Sequence, residues 1–240
     1  MPPFFETKIL EATNKIADLA NPAPVLIDDG TLLGLIRDQK IIEWDTDIDL
    51  SVPTKGMDRI LGNLDQLADT FSSVRLTYID GLCMTATFIS EDQLPISLKR
   101  FTKKGNTYYA LTAPSRGKKR SPRIVKRILN RAKPVRALCE KKKEISNTKI
   151  TFLTPSTLSR AFRKYVFWTV PEYFFNNAST KVQLDSQIVI PNNPEKYLET
   201  HYGTNWREPR KDWSFLDDDN SLIAYNHSIW KELKRKISYA

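Results

Sequence analysis

The chain is poor in the residues that staple or clip small folds. Two cysteines in 240 residues, Cys83 and Cys139, cannot build a disulfide framework. They fit a reducing compartment as buried thiols. Two histidines, His201 and His227, have no Cys/His spacing around them, which excludes a zinc-finger-type site. His201 is expected in packing or at a rim, and His227 in the tail. No run of 18 apolar residues occurs. The most hydrophobic stretch, 165–175, is interrupted by Pro171 and Glu172 and is too short to span a bilayer. Residues 1–5 are too short for a secretory leader, and Glu6 and Lys8 follow them. The expected location is therefore cytoplasmic. There are no internal repeats and no low-complexity tract. With 40% hydrophobic and 27% charged residues the composition is that of a soluble globular protein, long enough for one large domain or two small ones.

Acidic residues are scarce in one place. Between Arg116 and Lys143 there are thirteen Lys or Arg, opposed only by Glu140. That segment carries +12 and the remainder −3, so the net charge of +9 is a local property. Ile124, Val125, Ile128, Leu129 and Ala132 recur there at helical spacing, with Arg123, Lys126, Arg127 and Arg131 interleaved. The pattern predicts a basic amphipathic helix. It is either a solvated face over an apolar seam or a surface for an anionic partner such as a membrane. Nucleic acid is disfavoured, because no base-reading motif accompanies the charge.

The most specific feature is the stretch 30–52, GTLLGLIRDQKIIEWDTDIDLSV. Asp45, Asp47 and Asp49 alternate, and alternate residues of a strand share one face. On a strand their carboxylates would sit about 6–7 Å apart, near enough for two to converge on a hard cation. Three like charges on one face repel and raise one another's pKa unless a cation neutralises them. A solvated edge strand is the alternative. Upstream, Gly30-Thr31 follows the short apolar run 25–27 and opens a helical turn through Leu32, Leu33, Leu35 and Ile36. Backbone N–H groups and a hydroxyl at such a start can receive phosphate, and Arg37 could add a bidentate contact. Taken alone, Gly30-Thr31 is equally an ordinary turn and cap.

These residues carry a resemblance. Gly30-Thr31-Leu32-Leu33-Gly34, Arg37 and Trp44-Asp45-x-Asp47-Ile48-Asp49 resemble the signature of the LicD/fukutin family, within the nucleotidyltransferase-fold superfamily. Ile190-Pro191, Tyr197-Leu198, Tyr202-Gly203, Trp206 and Pro209 resemble the family's closing pattern. The resemblance implies a phosphotransferase that moves a phospho-alcohol, phosphocholine- or polyol-phosphate-like, from a CDP-linked donor to a glycan or lipid-linked glycan hydroxyl, releasing CMP. Asp47 and Asp49, with Asp45, would hold Mg²⁺ or Mn²⁺, and Gly30, Thr31 and Arg37 would grip phosphate. By analogy such an enzyme would work in the cytoplasm, peripheral to the inner membrane face. One departure stands out. The superfamily supplies a further carboxylate from a later strand, and here the comparable position is Ser97, which cannot act as a general base near neutral pH. Asp80, Glu91 or Asp92 could fill that role, the first strand's acids could suffice, or activity could be reduced.

The expected fold is α+β: a nucleotidyltransferase-fold mixed sheet flanked by helices, with a mainly helical C-terminal half. Residues 1–112 would form the core with the metal and phosphate site. Residues 113–240 would form a basic, mainly helical region completing the same domain. Helices are expected over 4–19, 31–37, from 53-54 through Phe71, 158–175 (capped by 154–156), 194–202 and 229–237. Strands are expected over 25–27, 48–52, 74–79, 83–89, 96–101 and 107–111, with Gly105-Asn106 turning a hairpin. Asp217-Asp218-Asp219 reads as a solvated loop, and Trp44 and Trp206 as packing residues that shape the pocket. Competing functions are nucleotidyl transfer from an NTP, sugar-nucleotide glycosyl transfer, and a degenerate, non-catalytic glycan- or membrane-binding domain.

Overall fold

A computed structural model describes residues 7–91, 93–112, 147–153, 166–176 and 189–238. The basic segment 116–143, with its expected helix and membrane-facing residues Arg123, Lys126, Arg127 and Arg131, lies outside the described residues, as does Asp92.

Alternating apolar residues build a curled mixed sheet, and helical-period residues cover it. In chain order the first elements are α1 (Thr7–Ala20), β1 (Leu26–Ile27), α2 (Asp29–Arg37), β2 (Ile48–Pro53) and α3 (Thr54–Gly62). A 3-10 turn, Leu64–Leu67, follows. Strands β3 (Ser73–Ile79), β4 (Leu82–Ile89), β5 (Ile96–Lys104) and β6 (Thr107–Thr112) come next. The remaining elements are β7 (Asn147–Leu153), β8 (Val166–Pro171), α4 (Pro194–Tyr202), α5 (Phe215–Asp218), β9 (Leu222–Ala224) and α6 (His227–Ser238).

The strand order is β7-β3-β4-β5-β6-β8-β9, with β2 joined to β5 and β1 to β2. Strand β5 is the branch point. Its first half pairs antiparallel with β4 and parallel with β2, and its last residues pair with β6. The register places Asp49 beside Ser97 and Ser51 beside Lys99. Helix α1 buries Ile9, Ala12, Ile16 and Ala20, its i, i+3, i+4 stripe, and packs on α3. Leu26, Ile27, Leu50, Val52, Leu98 and Phe101 form the centre of the core, all fully or almost fully buried.

The α+β class and the order of elements through residue 112 follow the sequence reading. The stretch Val166–Pro171 does not. It is strand β8, paired with β6 along its whole length, where a helix over 158–175 was expected; residues 158–165 lie outside the described set. Its β-branched and aromatic run Val-Phe-Trp-Thr-Val suits a pleated surface better than a helix. The Asp217–Asp219 segment also departs from the expected solvated loop. Asp217 and Asp218 close the short helix α5, and Asp219 is buried.

Candidate active site

The aspartates converge by a different route from the one the alternation suggests. Only Asp49 lies in β2; Asp45 and Asp47 sit in the loop that leads into it. That loop is folded back, with Asp45 N–H donating to Ile42 O at 2.9 Å and Thr46 N–H to Asp45 Oδ1 at 2.9 Å. One carboxylate oxygen from each of the three comes within 4.8 Å of the others, tighter than a flat strand would permit. Gly30 makes this possible. A Cβ there would collide with the Asp45 carboxylate, so a larger residue would push that side chain aside.

Asp49 is pinned from both sides. Its N–H donates to Thr31 Oγ1 at 2.8 Å, and its carbonyl accepts from Asp28 N–H at 3.0 Å. Thr31 is therefore buried against β2, its hydroxyl committed to positioning Asp49 instead of facing the cleft. Ser97 occupies the neighbouring strand position and donates from its hydroxyl to Asp47 Oδ2 at 2.7 Å. The serine thus orients one of the acids. Asp80 is engaged by Lys234 at 2.7 Å and Trp230 at 3.3 Å and does not line the cleft.

The three carboxylates open on a cleft of about 450 Å³. Asp29, Gly30, Arg37 and four tryptophans (44, 168, 206 and 213) contribute to its walls. Arg37 forms a bidentate pair with Asp38 (2.8 and 2.7 Å), which holds its guanidinium at the cleft wall. Arg210 and Lys211 come from the loop after α4, and Lys211 Nζ lies 4.8 Å from the Trp44 ring centroid. Trp206 is buried as expected, but Trp44 is 42% exposed at the mouth.

The acids are unevenly compensated. Burial, then the negative charges of Asp29 and Asp47, push the Asp49 carboxyl well above its ordinary range. Burial and Asp47 also raise Asp45. Three oxygen ligands, too close for like charges and only partly served by donors, match what a hard divalent cation requires. Asp45, Asp47 and Asp49 could hold such an ion.

Directly behind lies a polar centre that the sequence did not reveal. Asp28 is 1% exposed and caps α2, its Oδ1 accepting from Asp29 N–H at 2.8 Å and from Tyr197 OH at 2.6 Å. Its Oδ2 accepts from Ser51 and pairs with Lys99 at 3.3 Å. Lys99 Nζ also reaches Asp29 at 2.5 Å and stands over the Trp168 ring, 4.0 Å from its centroid. Burial alone would raise Asp28; the charges of Lys99 and His201 with the Ser51 and Tyr197 hydrogen bonds outweigh it and hold Asp28 well below the usual carboxylate range. Asp29 is raised to about 6, by burial and by Asp28 beside it, and adopts a left-handed φ of 41° that a non-glycine residue rarely takes. Beyond Tyr197, His201 Nδ1 meets Asp219 Oδ2 at 3.2 Å, and Trp168 Nε1 donates to the same oxygen at 2.9 Å. Burial alone would lower the His201 imidazole; its hydrogen bond with Asp219, and the charges of Asp219, Asp28 and Asp29, hold it above its ordinary value.

Residues 23–116 match the model of the LicD/FKTN/FKRP nucleotidyltransferase domain. The match spans 94 of the 240 residues and takes in both the Gly30–Arg37 and the Trp44–Asp49 motifs. No curated protein matches the chain. Among the described residues no helix is long and apolar enough to cross a membrane.

Proposed function

We propose that the protein is a metal-dependent phosphotransferase that moves a phospho-alcohol from a CDP-linked donor to a glycan hydroxyl and releases CMP. The observation that carries this reading is the meeting of Asp45, Asp47 and Asp49 within 4.8 Å on the wall of a cleft that also holds Arg37, Arg210 and Lys211. Acids for a cation and cations for phosphate oxygens in one cleft fit a diphosphate substrate.

Asp45, Asp47 and Asp49 would hold Mg²⁺ or Mn²⁺, which when bound neutralises charge on the diphosphate and on the departing nucleotide. Gly30 lets the Asp45 carboxylate lie against the start of α2. Arg37 and Arg210 offer guanidinium donors to phosphate oxygens. Thr31 and Ser97 keep Asp49 and Asp47 in place. The acceptor oxygen forms a bond to the distal phosphorus, the bond from that phosphorus to the CMP oxygen breaks, and the hydroxyl proton leaves to a base.

The test is Mg²⁺-dependent binding across CMP, CDP-choline, CDP-ribitol, CDP-glycerol, CTP, ATP and UDP-glucose, with Asp47→Asn as control. Selective binding of CDP-alcohols, lost in the variant, is the expected result. Preference for an intact NTP would move the reading to nucleotidyl transfer. Absence of any metal-dependent binding would leave a domain that no longer catalyses.

A further inference from the structure

A second cavity, of about 410 Å³, lies at the other end of the two parallel strands. β2 and β5 run side by side from Ile48/Ile96 to Pro53/Phe101. Asp49 and Pro53 are thus separated by four strand residues, about 13 Å. Pro22, Pro24, Pro53 and Tyr108 give the cavity an apolar wall. Lys55, Arg59, Lys103 and Lys236 stand around it, and among its described lining residues no carboxylate opposes them.

Four cations around one small cavity repel one another, yet the fold holds three of them there. Arg59 donates to the carbonyl of Asn21, and Lys236 Nζ donates to Lys103 O at 3.1 Å. Lys103 pairs with Glu172, which lies outside the lining and offsets only that one charge. Lys55 is exposed on the first turn of α3. That nine-residue helix starts at the cavity with Pro53 as its cap residue and no side-chain cap, so its first N–H groups add to the positive field. Thr54 and Thr102, with hydroxyls 2.9 Å apart, supply neutral hydrogen-bonding groups beside it. A cluster of ammonium and guanidinium donors suits a group with several charged acceptor oxygens, and the apolar wall suits the rest of an organic molecule.

We propose that this cavity binds a phosphate-bearing organic ligand, its phosphoryl group among Lys55, Arg59, Lys103 and Lys236 and its apolar part against Tyr108 and the prolines. A phospholipid headgroup and a soluble phosphate ester share this chemistry. The site is separate from the aspartate cleft and does not depend on the reading given to that cleft.

The experiment uses the full chain in EDTA, so that no divalent cation serves the aspartates. Glycerol phosphate is titrated while backbone amide shifts and calorimetric heat are followed. Flotation with phosphatidylglycerol vesicles forms the second arm. The expected shifts centre on Lys55, Gly56, Thr102 and Tyr108. Lys55→Glu with Lys236→Glu should weaken binding roughly tenfold or more, as expected for loss of charge-assisted contacts. The single Lys55→Gln, at an exposed position, should weaken it less while leaving the thermal midpoint unchanged. Vesicle binding lost in the double variant assigns the lipid source, and glycerol phosphate binding without vesicle binding assigns the soluble ester. The proposal is overturned by equal affinity in wild type and variants, by shifts confined to the aspartate cleft, by vesicle binding that survives the reversal with no glycerol phosphate binding, or by no binding in either arm.

Discussion

Two groups of aspartates lie side by side in the fold, joined by the hydrogen bond from Asp28 N–H to Asp49 O, and the fold treats them oppositely. Asp28 is sealed behind the cleft with Lys99, Ser51, Tyr197 and its own helix N–H around it. Asp45, Asp47 and Asp49 face the cleft with a serine hydroxyl on Asp47 as their side-chain donor from another strand. The first group is internally neutralised and serves stability. The second is left short of positive charge, which the proposed cation would supply. The same residue type thus has a structural or a functional role according to whether the protein itself completes its electrostatics.

The sharpest way to break this contrast is Lys99→Met. It leaves Asp28 and Asp29 without their cation, and we expect a loss of about 3–5 kcal/mol of unfolding free energy in urea. Tyr197→Phe removes one hydrogen bond to a buried carboxylate and should cost about 1–3 kcal/mol in the same measurement. Asp47→Asn should change stability by less than about 0.5 kcal/mol, since relief of like-charge repulsion in a half-buried cluster offsets the weakened Ser97 contact. The same variant should abolish the rise in thermal midpoint that Mg²⁺ gives the wild type. A large stability loss there would show that the triad is structural after all.

The smallest effect concerns pH. His201 is held above its ordinary value of 6.5 by Asp219. Its pairing contributes in full below the unfolded-state value and is lost as pH rises through the folded-state value. Wild-type stability should therefore fall across that window relative to His201→Gln, which lacks the slope. Parallel curves would remove His201–Asp219 from the stabilising network.

Much of this contrast was legible in the sequence, but only its local half. The Gly30–Val52 spacing exposed the triad because its residues are close in the chain. Helix α4 was equally readable: Asn193 accepts from Lys196 N–H, Pro194 opens the helix, and Gly203 with φ 82° ends it. The sealed centre was not. Tyr197 reaches Asp28 across 169 residues, and Lys99 reaches Asp29 across 70. The available signal was positional: Lys99 stands two residues after Ser97 on the same face of β5 and so points toward the same region. Asp219 read as solvated because its partners His201 and Trp168 are distant in sequence. The 166–171 strand was misread because a short apolar run fits helix or strand until its β-branched residues are weighed.

The parallel pairing of β2 with β5 also bears on how the chain acquires its site. Strands β3, β4, β5 and β6 follow one another as antiparallel neighbours, a meander of local contacts. Asp49 meets Ser97 only when β2 docks beside β5 across the intervening α3, β3 and β4. Closing so long a loop comes late on the route to the native state. We expect the cation site to form after the transition state. Mg²⁺ should slow unfolding while leaving the refolding rate almost untouched, so the ion would act as a latch on the finished fold and not as a template for making it.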